Sequence, residues 1–254
     1  MTTSSASPLK AKAIVTGHTR GLGAALAETL LARGFAVLGV SRTRHASLAS
    51  RFGGALEEAE VDLADSGQLA QWLAGECLPR FLRDTQQALL INNAGTVQPV
   101  GPGSTQASVD VARAVALNVG APLMFASAFA TASTHVPDRR IAHVSSGAAR
   151  SAYAGWSVYC ATKAALDHHA RAVALDNEPG LRIASVAPGV IDTDMQAEIR
   201  GTDEARFPLR ERFTQLKADG QLSTPADAAH KFVDYLLSDA FGQTAAADVR
   251  MLGQ

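Results

Sequence analysis

A short apolar run at the start of the chain, Ala13 to Thr16, passes directly into a glycine-punctuated turn, Thr16-Gly17-His18-Thr19-Arg20-Gly21-Leu22-Gly23. An apolar, alanine-rich stretch from Ala24 to Arg33 follows and stops at Gly34. The first run has the length and boundaries of a buried strand, and the last stretch has helical character. Strand, glycine turn and helix in direct succession form the setting a dinucleotide site requires. Glycine lets the backbone approach a pyrophosphate, and the free N–H groups of a helix start carry partial positive charge toward it. The spacing here is G-x-x-x-G-x-G rather than G-x-G-x-x-G, so a plain tight turn competes on the glycines alone. The flanking strand and helix favour the dinucleotide. Gly17, Thr19, Arg20, Gly21, Leu22 and Gly23 are therefore candidate cofactor residues.

The alternation continues to the end of the chain. Strands are expected at Phe35 to Val40, Ala55 to Val61, Ala88 to Ile91, Arg140 to Ser145, Arg182 to Val186 and Ala245 to Met251. Helices are expected from Asp65 or Ser66 to about Leu82, Ser108 to Thr134, Ala161 to Ala174, and Thr224-Pro225 to about Leu237. Pro122 implies a kink in the long second helix. Alternating strands and helices argue for an α/β fold whose parallel sheet is covered on both faces. The 254 residues show no repeat, low-complexity tract or linker, so a single domain over 1–254 is expected, with a loose N-terminus over 1–11. A hydrophobic content of 47% with 19% charged residues is that of a soluble globular protein. A net charge of −1 gives no electrostatic case for nucleic acid or an anionic membrane. Cys77 and Cys160 are too few for a disulfide framework or a cysteine-based metal site, and no metal site is expected. No signal peptide is evident, and no run approaches the ~18 apolar residues of a membrane span, so a cytoplasmic protein is expected.

Several strand ends carry further candidates, since ligands in such sheets bind outside the strands' carboxyl ends. The second strand ends in Ser41-Arg42, where NAD-selective sites usually carry an acid. A guanidinium there suits a 2′-phosphate instead, with Arg20 as a second cation, and this favours NADP. Asp62-Leu63 follows the third strand; Asp62 could take an adenine amino group or cap the next helix. Asn92-Asn93-Ala94-Gly95 ends the fourth, and its small residues let the backbone pass close to a ligand; a simple Asn/Gly turn is the alternative. After the sixth strand come Pro188, Gly189 and Val190, then Thr193, which could bind a carboxamide. The polar segment 194–222, with two short helical stretches, has the character of a cover over a pocket.

The chemistry points to Ser145–Lys163, SSGAARSAYAGWSVYCATK. On a helix, Tyr159 and Lys163 lie one turn apart on one face. A free tyrosine titrates near pH ~10, and a cation within about 4–6 Å lowers that value toward the useful range. Ser146 could hydrogen-bond the substrate oxygen that the tyrosine protonates. Asn118, in the apolar stretch ARAVALNVGAPLMFA, needs partners: a backbone carbonyl freed by the kink, or a water linked to Lys163. Tyr153, Trp156, Phe207 and Phe213 fit an aromatic substrate pocket or core packing.

These motifs in this order, TGHTRGLG at 16–23, NNAG at 92–95, Asn118, Ser146, YCATK at 159–163 and PGVIDT at 188–193, resemble the short-chain dehydrogenase/reductases over nearly the whole chain. The resemblance implies a Rossmann-type doubly wound parallel sheet of about seven strands and a nicotinamide cofactor. It implies Tyr159 as acid/base, Lys163 lowering its pKa and binding ribose, Ser146 orienting the carbonyl, and Asn118 holding a relay water. The basic Arg20 and Arg42 are similar to those of NADP(H)-preferring members. GWSVYCATK at 155–163, IDTDMQAEIR at 191–200 and LKADGQL at 216–222 resemble the sepiapterin and benzil reductase subgroup, which implies a ketone, 1,2-diketone or pterin side-chain carbonyl as substrate. Asp248 falls near the aspartate that anchors the pterin in sepiapterin reductases, although TAAADVRMLGQ lacks the glycine and aromatic residues of that place. Homodimers or homotetramers through the helices around Asn118 and Tyr159 are implied too. The alternatives are an alcohol or steroid dehydrogenase and a non-catalytic NADP sensor; the latter class commonly loses the tyrosine or lysine, and this chain has both.

Overall fold

The computed structural model describes residues 11–251. The expected loose N-terminus therefore lies outside the described residues, apart from Ala11, which opens the first strand. In chain order the elements are β1 (Ala11–Thr16), α1 (Gly21–Ala32), β2 (Ala36–Ser41), α2 (Leu48–Phe52), β3 (Leu56–Glu60), α3 (Ser66–Leu73), α4 (Cys77–Leu82), β4 (Gln87–Asn92) and α5 (Ser108–Val115). Then come α6 (Ala121–Ala132), β5 (Asp138–Val144), α7 (Ser157–Leu175), β6 (Leu181–Ala187), α8 (Asp194–Arg200), α9 (Arg210–Ala218), α10 (Pro225–Leu237) and β7 (Ala246–Asp248).

The seven strands form one sheet in the order β3-β2-β1-β4-β5-β6-β7, and every neighbouring pair is parallel. The middles of the central strands, Ala13 to Val15, Ala88 to Ile91 and Ile141–Ala142, are apolar because both faces of the sheet are covered, as parallel sheets require. On one face Leu22, Leu26 and Leu30 of α1 meet Phe232, Val233 and Leu236 of α10. On the other, Leu69, Leu78, Phe81, Phe125 and Phe129 from α3, α4 and α6 close the core. The strand order reverses direction between β1 and β4, so the crevice at their carboxyl ends is the topological switch point.

Several expectations need correction. The helix expected from Asp65 or Ser66 to about Leu82 is broken at 74–76 into α3 and α4. The helix expected over 108–134 is two helices joined by a π turn at Ala116–Gly120, and Pro122 lies in the first turn of α6, where it needs no hydrogen bond. The combined run Ser108–Ala132 does reach the length and, at 1.5, the mean hydropathy of a membrane span. In the fold it covers the sheet, with Phe125 and Phe129 fully buried. The final strand is only Ala246–Asp248, and a 3₁₀ turn replaces the rest.

Candidate active site

A crevice of about 1080 Å³ opens along the carboxyl ends of the strands. Gly17, Thr19, Arg20, Gly21, Leu22 and Gly23 line its floor at the start of α1. Gly23 has no substitute there, because a Cβ would meet the Gly17 carbonyl oxygen at 2.0 Å and Asn93 Nδ2 at 2.4 Å. The Arg20 side chain does not cap the start of α1, and Gly21, Leu22 and Gly23 of its first turn line the crevice. A helix start suits an anion such as a pyrophosphate, and the residues fit a dinucleotide.

Ser41, Arg42, Asp62 and Leu63 line the crevice at one end. The Ser41 hydroxyl donates to the Thr43 carbonyl at 2.5 Å, shaping the loop that carries the exposed Arg42. Arg20 lies 3.5 Å from Asp194, with both side chains mostly in solvent. Asp65, not Asp62, caps α3, accepting from Gln68 N–H. Asp62 instead accepts from Ala64 N–H at 3.0 Å and from Arg113 at 3.2 Å. Arg113 is thus a crevice residue that was not legible in the sequence, since it belongs to a helix 51 residues further on.

Asn93, Ala94 and Gly95 line the middle of the crevice. The Asn93 amide braces the glycine turn, donating to the Thr16 and Gly17 carbonyls at 3.0 and 3.2 Å. Asn118 is fully buried at the π turn. Its Oδ1 accepts from Thr96 N–H at 2.9 Å, and its Nδ2 donates to the Thr96 carbonyl at 2.8 Å and to Thr162 Oγ1 at 3.2 Å. The side chain therefore locks the strand-end loop to α7. Pro188, Gly189, Val190 and Thr193 complete the wall beyond β6.

Ser146, Tyr159 and Lys163 meet in the same crevice. Helix α7 starts at Ser157, so Tyr159 and Lys163 share its first turns. The Lys163 ammonium stands 5.8 Å from the centre of the Tyr159 ring and donates to the Val144 carbonyl at 2.7 Å. Burial pulls Lys163 down to about 8, opposed by the charge of Asp167. Burial pushes Tyr159 up to about 12, against a hydrogen bond with Ser146. The Tyr159–Lys163 spacing implies a phenol made acidic by its lysine; in this structure burial is the largest influence on the phenol, and it acts in the opposite sense.

On the substrate side, Trp156 packs edge-on to Tyr159 at 5.3 Å and stacks on Phe207 at 4.6 Å. Tyr153, Trp156 and Phe213 line the crevice, whereas Phe207 is fully buried behind them. The segment 194–222 supplies α8 and α9, and Met195, Gln196, Ile199 and Leu216 from it line the crevice as well. Gln196 is almost wholly buried there, and its Oε1 has no partner. Asp248 needs correction as a substrate contact. Its carboxylate is held by the Arg250 guanidinium at 2.6 Å and by Arg250 N–H at 3.0 Å, and Arg250, not Asp248, lines the crevice.

The family model of the short chain dehydrogenases matches residues 11–204. The benzil reductase ((S)-benzoin forming) of Bacillus cereus is 34% identical over 238 residues, covering 91% of this chain and 95% of that protein. The sepiapterin reductase of Meriones unguiculatus is 34% identical over 250 residues, covering 92% of this chain and 94% of its own. A crystal structure of a short-chain dehydrogenase/reductase from Burkholderia vietnamiensis is 52% identical and covers 97% of this chain and 100% of that one, with a TM-score of 0.71. The glycine turn, the crevice at the switch point, the Ser146–Tyr159–Lys163 cluster and these likenesses agree: the chain belongs to the short-chain dehydrogenase family, and it is an oxidoreductase of the carbonyl reductase type.

Proposed function

We propose that the protein reduces ketones with NADPH and takes a carbonyl set between apolar or aromatic groups, a 1,2-diketone such as benzil. The observation that carries this is the buried, proton-bearing phenol of Tyr159 beside Ser146 and against Trp156, in the crevice that also presents Arg42. A bound nicotinamide supplies the hydride. Ser146 and Tyr159 hold the carbonyl oxygen, and Tyr159 hands it a proton as negative charge develops there. The phenol carries its proton at neutral pH and so can donate it to the carbonyl oxygen. The buried Lys163 sits beneath the ring, so its charge favours the phenolate left after transfer. Trp156, Tyr153 and Phe213 offer ring faces to an aromatic substrate and exclude water. The exposed Arg42, directly after β2, supports the reading of a 2′-phosphate contact.

The test is consumption of NADPH, and separately of NADH, by purified protein with benzil, with sepiapterin and with a simple aliphatic ketone. Turnover of benzil with NADPH well above the other combinations is expected. Turnover with sepiapterin alone would move the substrate to the pterin side chain, and a preference for NADH would remove the role given to Arg42.

A further inference from the structure

His18 sits inside the glycine turn, between the crevice residues Gly17 and Thr19, yet its side chain is fully buried. It points beneath β2, where Gly39 makes room: a Cβ at position 39 would meet the His18 ring at 2.4 Å. There His18 Nε2 donates to Glu58 Oε1 of β3 at 2.6 Å. The same carboxylate oxygen accepts His45 N–H at 2.7 Å. The Glu58 side chain is only 6% exposed. His45 Nδ1 in turn accepts from the backbone N–H groups of Ser47 and Leu48, fixing the start of α2. Arg44, on the same loop, is paired with Glu60 at 3.0 Å. Burial keeps His18 below its ordinary range against the pull of Glu58. Burial alone would raise Glu58, but the hydrogen bonds from His45 and His18 hold it below the usual carboxylate range. The pair is thus a neutral imidazole donating to a carboxylate, and His18 Nδ1 is left without a partner.

One buried oxygen therefore ties together two separate stretches of backbone. The first is the turn that faces a pyrophosphate. The second is the loop from Ser41 to Ser47 that presents Arg42. A dinucleotide with a 2′-phosphate engages both at once, so their spacing must match the ligand before it arrives. A loop that has to be ordered on binding costs affinity, and a pre-set one does not. A dinucleotide without the 2′-phosphate uses only the turn and gains nothing from the tether.

We propose that His18 and Glu58 are positioning residues for cofactor selectivity, setting the distance between the pyrophosphate turn and Arg42. The inference rests on the NADP assignment above. The test compares Glu58→Leu and His18→Leu with the unaltered protein, measuring kcat and KM for NADPH and NADH after thermal melts establish folding. Two variants are needed because they cut the tether from opposite sides, and either one that folds suffices. The NADPH-over-NADH preference in kcat/KM is expected to fall roughly tenfold or more, the size of one hydrogen bond to a charged group. The fall should lie in KM for NADPH, with kcat nearly unchanged. Folded variants that keep the preference, whether both KM values stay put or rise together, overturn the positioning role and leave the NADP assignment standing. An unaltered protein that prefers NADH overturns that assignment, and the inference with it.

Discussion

Tyr159 is the residue on which the chemistry turns, and its surroundings fix what removing it does. In the proposed reaction the hydroxyl is the proton donor, while the ring is one wall of the aromatic cluster with Trp156. Tyr159→Phe keeps the wall and removes the proton. It is expected to lower kcat by roughly 10²–10⁴, the range for a general acid, with binding of NADPH unchanged. Near-normal turnover in that variant would take tyrosine out of the mechanism. The one-turn spacing of Tyr159 and Lys163 points to them only together with the glycine turn and the family resemblance, which also brings in Ser146. The sense of the pKa shift is not legible, because it depends on how far the fold buries the phenol.

Among the elements, the cover formed by α8 and α9 meets the start of α7 through a cluster of rings, with Phe213 of α9 5.4 Å from Trp156. Phe207, in the segment between α8 and α9, lies on Trp156 with 18° between the planes, and Trp156 leans on Tyr159. Phe207 does not reach the crevice, so it acts through Trp156. Phe207→Leu is expected to destabilise the protein by about 1–1.5 kcal/mol and to raise KM for the ketone severalfold with kcat for NADPH oxidation little altered. A KM left unchanged would show that Trp156 holds its place unaided. The elements themselves were readable because a parallel sheet demands unbroken apolar runs, and their limits fell within a few residues. What escaped was any feature made by distant parts of the chain meeting. The π turn at 116–120 is one, sited where Asn118 grips Thr96, and the Asp248–Arg250 pair that diverts a supposed substrate anchor is another.

At the scale of the whole molecule, the closed sheet buries groups that titrate. His143 of β5 is fully enclosed, between Asn92 at 3.1 Å and His169 of α7 at 3.0 Å. Burial, together with the charges of His169 and Lys163, holds it down at about 3 against an ordinary 6.5. The unfolded chain therefore takes up this proton first, and stability is lost as pH falls from 6.5 toward about 3. The urea midpoint is expected to decline between pH ~6.5 and ~4.5, above the range where carboxylates protonate. In His143→Gln the decline should be shallower, and equal slopes would assign the acid limb to other groups.

The bare α-carbon of Gly39 under the His18 ring has a consequence for how such a chain can diverge. A methyl group at position 39 and an imidazole at position 18 exclude each other, so position 39 cannot gain a side chain while His18 stays. Gly39→Ala should be tolerated only in company with a residue at 18 as small as serine, and that exchange gives up the donor to Glu58. Two positions far apart in the sequence are in this way bound to a common history.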